Sequence, residues 1–136
     1  MRGELEPREA ATLYEEELRT FFGGAPRFDL VLLGIGEDGH TASLFPGTPA
    51  LNVADRWTVE NPVYKLDSVR LTLTVPVLNA AKKIIFLVAG EGKARALKEI
   101  LGGDANPHEY PAKLIRPKGR MVWMLDRAAA QLLDQS

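Results

Sequence analysis

Cysteine is absent from the 136 residues, which excludes disulfides, thiol nucleophiles and cysteine-based zinc sites and says nothing of compartment. Histidine occurs twice, at His40 and His108, far apart in the chain; that inventory offers no metal-ligand spacing, and no metal is expected. Neither sign of charge dominates: 17 Lys and Arg face 18 Asp and Glu, for a net charge of −1. The two signs are interspersed, so no basic stripe marks a nucleic-acid surface. No apolar run approaches the ~18–20 residues of a membrane span, and no charged-then-apolar leader opens the chain. The expectation is one soluble, cytoplasmic domain over residues 1–136, binding neither nucleic acid nor membrane and small for an α/β enzyme.

What the sequence does hold is concentrated early. Phe28-Asp29-Leu30-Val31-Leu32-Leu33 reads as a buried strand, and it runs into Gly34-Ile35-Gly36-Glu37-Asp38-Gly39-His40-Thr41-Ala42-Ser43-Leu44-Phe45-Pro46. Glycine at 34, 36 and 39 lets the backbone turn sharply, visit positive φ and aim N–H groups at an anion. A histidine delivered by such a turn to the carboxyl end of a strand stands where open α/β sheets bind ligands, and its ordinary pKa suits a general base. Asp38 has two readings: it orients His40, or it caps a short helix beginning near His40. Ser43, three residues after His40, invites a Ser–His nucleophile reading but is better read as a polar helix-turn residue.

Gly34-x-Gly36-x-x-Gly39 also fits the dinucleotide fingerprint, with Asp55 near the expected offset of ~20 residues. That reading fails on context. A crossover helix of at least ~10–12 residues should follow, yet Pro46-Gly47 breaks the chain after Phe45.

The remaining pattern alternates. Pro7 to Phe22 is an amphipathic helix ended by Gly23-Gly24, and Pro46 to Pro62 is mostly loop with a short strand at Trp57 to Val59. Val69 to Val75 is an alternating strand, followed by a short helix from Pro76 through Lys82. Ile84 to Ala89 is a continuous apolar run, hence a central parallel strand, turned by Gly90-Glu91-Gly92 into a helix from Lys93 to Leu101. Strand Met121 to Leu125 precedes a last helix from Asp126, its N-cap, to Leu133, and Trp123 is strand core. The expected fold class is α/β: a mostly parallel sheet flanked by helices, Rossmann-like and three-layered.

The segment Gly34 to Pro46 closely resembles the signature of the 6-phosphogluconolactonases. The likeness continues, in family order, through Arg70-Leu71-Thr72-Leu73-Thr74, Leu78-Asn79-Ala80-Ala81, Phe86 to Ala94, Trp123-Met124-Leu125-Asp126 and Ala128-Ala129-Ala130. It implies hydrolysis of 6-phospho-D-glucono-1,5-lactone to 6-phosphogluconate, a step of the oxidative pentose phosphate pathway, with no metal or organic cofactor. His40 would be the base with Asp38 beside it; Gly36 and Gly39 would meet the substrate, and Arg70 and Lys93 would hold its phosphate. The related sugar-phosphate isomerases and deaminases share the turn and its histidine, but typically carry a glutamate before the motif's proline, where this chain has Phe45.

Family members also carry, before the first helix seen here, roughly another half-domain with a Gly/Ser-rich phosphate turn. The resemblance therefore implies an incomplete domain corresponding to the carboxyl-terminal portion. It leaves open a non-catalytic phosphosugar-binding or partner-binding domain, and self-association or a complementing chain that covers the missing amino-terminal half.

Overall fold

In the computed structural model, which describes residues 1–133, helix α1 spans Pro7–Phe22, as the periodicity expects. Pro7 occupies the first turn, the Glu6 carboxylate accepts from the Glu9 N–H at 3.1 Å, and Gly23 ends the helix. Its buried stripe, Ala10, Ala11 and Leu18, packs against a two-stranded antiparallel ribbon made of β2 (Thr58–Val63) and β3 (Ser68–Leu73). Leucine, alanine and glutamate favour the helix; threonine and valine, branched at Cβ, favour the ribbon.

One carboxylate docks the two. Glu15 is 12 % exposed, and its Oε2 accepts from the Trp57 N–H at 2.8 Å, the Arg56 Nε–H at 3.0 Å and the Thr58 N–H at 3.3 Å. Burial works against its ionisation, but the Trp57 N–H, the Arg56 side chain and the Thr58 N–H outweigh burial and hold its pKa below the ordinary value. A depressed folded-state pKa contributes stability that is present above the unfolded value and lost as pH falls through the folded one. Glu15→Ala should therefore lower unfolding stability by about 2–3 kcal/mol at neutral pH, with the deficit shrinking in acid. Urea unfolding at pH 7 and pH 3 reads both; an equal deficit at the two pH values would remove the charge from the account.

The second sheet is parallel. Strands β1 (Val31–Leu33), β4 (Lys83–Val88) and β5 (Arg120–Leu125) lie in the order β1-β4-β5, with the apolar run of β4 in the centre as expected. Helix α2 (Val75–Asn79) precedes β4, and α3 (Ala94–Gly102) follows it. The register places Leu33, Phe86 and Trp123 in one row on the core face, where the Phe86 and Trp123 rings stack at 3.9 Å. Ile84, Val88, Leu97, Ile100, Leu44, Leu78 and Ile115 complete that core.

The opposite face carries Leu32, Ile85 and Val122 in one row and Leu87 and Met124 in the next. Among the described residues nothing covers it: Leu32, Leu87 and Met124 are 57 %, 50 % and 55 % exposed. The fold is thus α/β around a parallel sheet with helices, and of the three expected layers the chain supplies the sheet and the packing on one face. No helix among the described residues is long and apolar enough to cross a membrane.

Four elements depart from the sequence pattern. The run Phe28 to Leu33, read as a buried strand, is a strand only over Val31–Leu33, with Leu30 and Leu32 half-exposed. The segment after Asp126 is a series of turns, not a helix to Leu133. Asp126 does cap, its Oδ1 accepting from the Ala129 N–H at 2.7 Å, but of residues 126–133 only Ala129 is buried, too little packing to offset the cost of helix nucleation. The expected short helix after His40 is also absent. Ala42 sits at φ 50°, and the Ser43 N–H bonds outward to Thr72 Oγ1 at 3.2 Å, both incompatible with a right-handed turn. Conversely, the short strand at Trp57 to Val59 extends to Val63 through Pro62, which the ribbon tolerates because β2 is paired on one side only.

Candidate active site

Strand β1 ends at Leu33, and the glycine turn carries the chain back across the sheet's carboxyl edge. The Gly36 N–H donates to the His40 carbonyl at 2.9 Å and the Gly39 N–H to the Gly36 carbonyl at 3.0 Å, closing the loop on itself. Gly39 lies at φ 79° against Tyr110, where a Cβ would stand 2.6 Å from Cδ1 of that ring. A Cβ on Gly36 would collide with the His40 imidazole and lie 2.7 Å from Asp38 Oδ1. Glycine at 36 is what allows the His40 and Asp38 side chains to meet against bare backbone.

They do meet. His40 Nδ1 lies 2.5 Å from Asp38 Oδ1, which also accepts from the His40 N–H at 3.1 Å. A carboxylate only accepts, so Nδ1 carries the proton in the neutral ring and Nε2 is left with its lone pair. The imidazole stacks on Phe45 with centroids 4.1 Å apart. Phe45, with no proton to move, supplies a flat apolar platform. Burial lowers the pKa of His40 below its ordinary value, and the positive charges of Lys93 and Arg70 lower it further. Both effects favour the neutral ring, the form in which an imidazole can take up a proton.

An open cleft of about 500 Å³ lies over the pair, lined among others by Glu37, Ser43, Lys65 and Arg70. His40 and Asp38 in the turn and Arg70 on β3 line this cleft; Lys93, at the end of the 3-10 turn Glu91–Lys93 that leads into α3, is not among its walls but is near enough for its charge to act on His40. Gly36 and Gly39 form the turn, but their N–H groups are used within it. His108 is exposed, and its carbonyl accepts from the Gly47 N–H at 3.0 Å, a structural tie. Among the described residues no three His, Asp or Glu side chains converge as metal ligands.

Several residues around the site carry no signal that sequence reasoning used. Asn61 is fully buried on β2; its Nδ2 donates to the Ser43 carbonyl and to Thr48 Oγ1, both at 2.9 Å. Together with Thr72 it ties the loop after His40 to the ribbon. From the other side, the Ala112 N–H donates to the Gly39 carbonyl at 3.0 Å. Lys65, in the 3-10 turn Tyr64–Leu66 at the ribbon's tip, pairs with Asp38 Oδ2. An asparagine or lysine inside a strand-turn-strand pattern looks ordinary; only the folded ribbon brings these side chains to the turn.

A strand end, a glycine turn, a histidine paired with a carboxylate and nearby cations thus lie together at one open cleft. Residues 1–123 match the family described as glucosamine-6-phosphate isomerases/6-phosphogluconolactonase, and the chain belongs to that family. It is 51 % identical over 133 residues to a 6-phosphogluconolactonase of Synechocystis, covering 94 % of this chain and 54 % of that protein. It is 48 % identical over 136 residues to the 6-phosphogluconolactonase of Homo sapiens, covering 96 % of this chain and 52 % of that one. The solved 6-phosphogluconolactonase from Trypanosoma cruzi superposes with a TM-score of 0.83 at 28 % identity, over 97 % of this chain and 55 % of that one. The chain thus spans about half the length of the relatives it matches.

Proposed function

We propose that this chain carries the catalytic turn of a 6-phosphogluconolactonase and hydrolyses 6-phospho-D-glucono-1,5-lactone to 6-phosphogluconate. The observation that supports it most is the His40 and Asp38 pair, 2.5 Å apart, in a cleft that Lys65 and Arg70 also line, with Glu37 the other acidic group on its wall. His40 Nε2 takes a proton from water as the oxygen attacks the lactone carbonyl; the tetrahedral adduct then expels the ring oxygen, which receives that proton from the imidazolium. Water is added across the ester bond, and the enzyme returns to its starting protonation state. Asp38 steadies the imidazolium between the two transfers. Neither a metal nor an organic cofactor enters these steps.

Arg70 and Lys93 hold the substrate's phosphate, converting remote binding energy into positioning of the carbonyl. Because Gly36 and Gly39 use their N–H groups within the turn, their contribution at the substrate is to let the turn close, not to donate to the oxyanion. Phe45 stands against the isomerase or deaminase reading, since a stacked phenyl ring cannot assist ring opening. The phosphorylated substrate is too charged to cross a bilayer unaided, which fits action in the cytoplasm. The uncovered sheet face is closed by further polypeptide, either a complementing half of the same domain or a second copy of this chain.

Hydrolysis of freshly prepared lactone, corrected for spontaneous opening, tests the reading. Binding without turnover would make this a non-catalytic phosphosugar-binding domain. Arg70→Ala and Lys93→Ala should each raise KM for the phosphorylated lactone by about tenfold or more, with little effect on unphosphorylated gluconolactone, which lacks the dianion. Equal losses on both lactones would make the two cations structural.

A further inference from the structure

We propose that Lys65 is a positioning residue for the His40 and Asp38 pair: it holds the carboxylate by its second oxygen and so limits how strongly Asp38 retains a proton on the imidazole. The inference deepens the reading of this site as a general-base centre and rests on it. Asp38 divides its oxygens, with Oδ1 facing His40 and Oδ2 facing the Lys65 ammonium. A carboxylate bonded through one oxygen can rotate about its last torsion; bonded through both, it is fixed in plane.

Lys65 reaches Asp38 from a different part of the chain. The antiparallel register from Thr58 paired with Leu73 to Val63 paired with Ser68 brings the ribbon to its tip at the turn Tyr64–Leu66. The Asp67 N–H closes that turn on the Tyr64 carbonyl at 3.0 Å, with Asp67 at φ 45°. The ammonium also lies 5.2 Å from the centroid of Phe45, the ring on which His40 stacks. Base, carboxylate and cation are therefore gathered around one phenyl ring.

The electrostatic consequence follows from the groups that face the pair. The turn contributes Glu37 and Asp38; the ribbon contributes Lys65 and Arg70; Lys93 precedes α3; and Arg95, Glu109 and Tyr110 line the far side of Asp38. An uncompensated carboxylate in hydrogen-bond contact stabilises imidazolium and raises its pKa. A cation on the other oxygen offsets that pull, so His40 stays neutral and available at a lower pH. As a plain surface ion pair, with Lys65 52 % and Asp38 28 % exposed, the contact would add little to folding. Its removal should accordingly leave the fold intact and be felt at His40.

The test is an NMR titration of the histidine ring protons in the 136-residue chain, with His108→Asn assigning the His40 resonance. Lys65→Met should raise the His40 midpoint by about half a pH unit or more, the direction expected when Asp38 loses its counter-cation. In an Asp38→Asn background the same substitution should move it much less, because Lys65 acts through that carboxylate. A midpoint that stays in place or falls with Lys65→Met overturns the proposal, as does an equal rise with and without Asp38. This readout needs no turnover, so failure of the lactonase reading would appear separately, as a folded chain with a normal His40 titration and no hydrolysis.

Discussion

The His40→Ala chain is expected to fold and to hydrolyse the phosphorylated lactone about 10²-fold or more below the unaltered chain, the usual scale of a general base removed from a water-activating site. The fold should survive. His40 side-chain atoms are 29 % exposed, and the turn is held by backbone bonds, Gly36 to His40 and Ala112 to Gly39, that alanine retains. The loss should fall on kcat more than on KM, because the proposed mechanism puts the imidazole on the attacking water and leaves the phosphate to Arg70 and Lys93. The pH profile gives an independent check. A base acts in its neutral form, so kcat/KM should fall as pH drops through the pKa of His40, which burial and the charges of Lys93 and Arg70 place below the ordinary histidine value. Activity should therefore be on its plateau already near neutrality, and the acid limb should disappear in His40→Ala. Undiminished turnover in a folded His40→Ala chain would remove the imidazole from the mechanism.

The parts of this fold legible in the sequence are those set by local rules. Pro7 and Gly23 mark both ends of α1, and the continuous apolar run Ile84 to Ala89 reads as the central parallel strand, a position β4 holds although only one of its faces is covered within this chain. The histidine turn was legible because three glycines in six residues are costly anywhere except where the backbone must bend or be approached closely. The structure gives each reason separately, a positive φ at Gly39 and a side-chain collision at Gly36.

What was not legible depends on long-range pairing. The strand read at Val69 to Val75 is β3, Ser68–Leu73, and belongs to a separate antiparallel ribbon; no periodicity tells a strand which partner it will take. The same pairing delivers Lys65 to Asp38 and Asn61 to the Ser43 carbonyl, so the site's supporting residues were invisible until the ribbon was folded. The Asp126 segment shows the converse error. Local cap chemistry was read correctly, but a cap without a buried stripe to follow gives a turn and no helix.

The open face of the parallel sheet leads to the other large effect: the isolated chain should self-associate through Leu32, Leu87, Val122 and Met124, and attaching the covering half of the domain should abolish this while raising stability by several kcal/mol. The magnitudes separate the two cases. With Leu30 and Ile85, six side chains lie on or beside this face, and covering each half-exposed one contributes about 1 kcal/mol, or about 6 kcal/mol in all. Two chains that pair through this face cover both copies, about 12 kcal/mol in all, and the lost freedom of two separate molecules cancels most of that gain, so the association is weak. The same burial within one chain escapes most of the loss of translational and rotational freedom, so it appears as folding stability. The sheet edges β1 and β5 add unpaired backbone groups that a further strand could pair. Sedimentation across a concentration series should show mass above the monomer at high micromolar concentration, reversed by Leu87→Lys with Met124→Lys. Those two exposed positions lie on the face away from Phe86 and Trp123, so lysine there should leave the core intact. A monomer at every concentration, with an unfolding midpoint equal to that of the extended protein, would mean that this face is stable in water as it stands; the physical reason against that is the row of leucine, valine and methionine it presents.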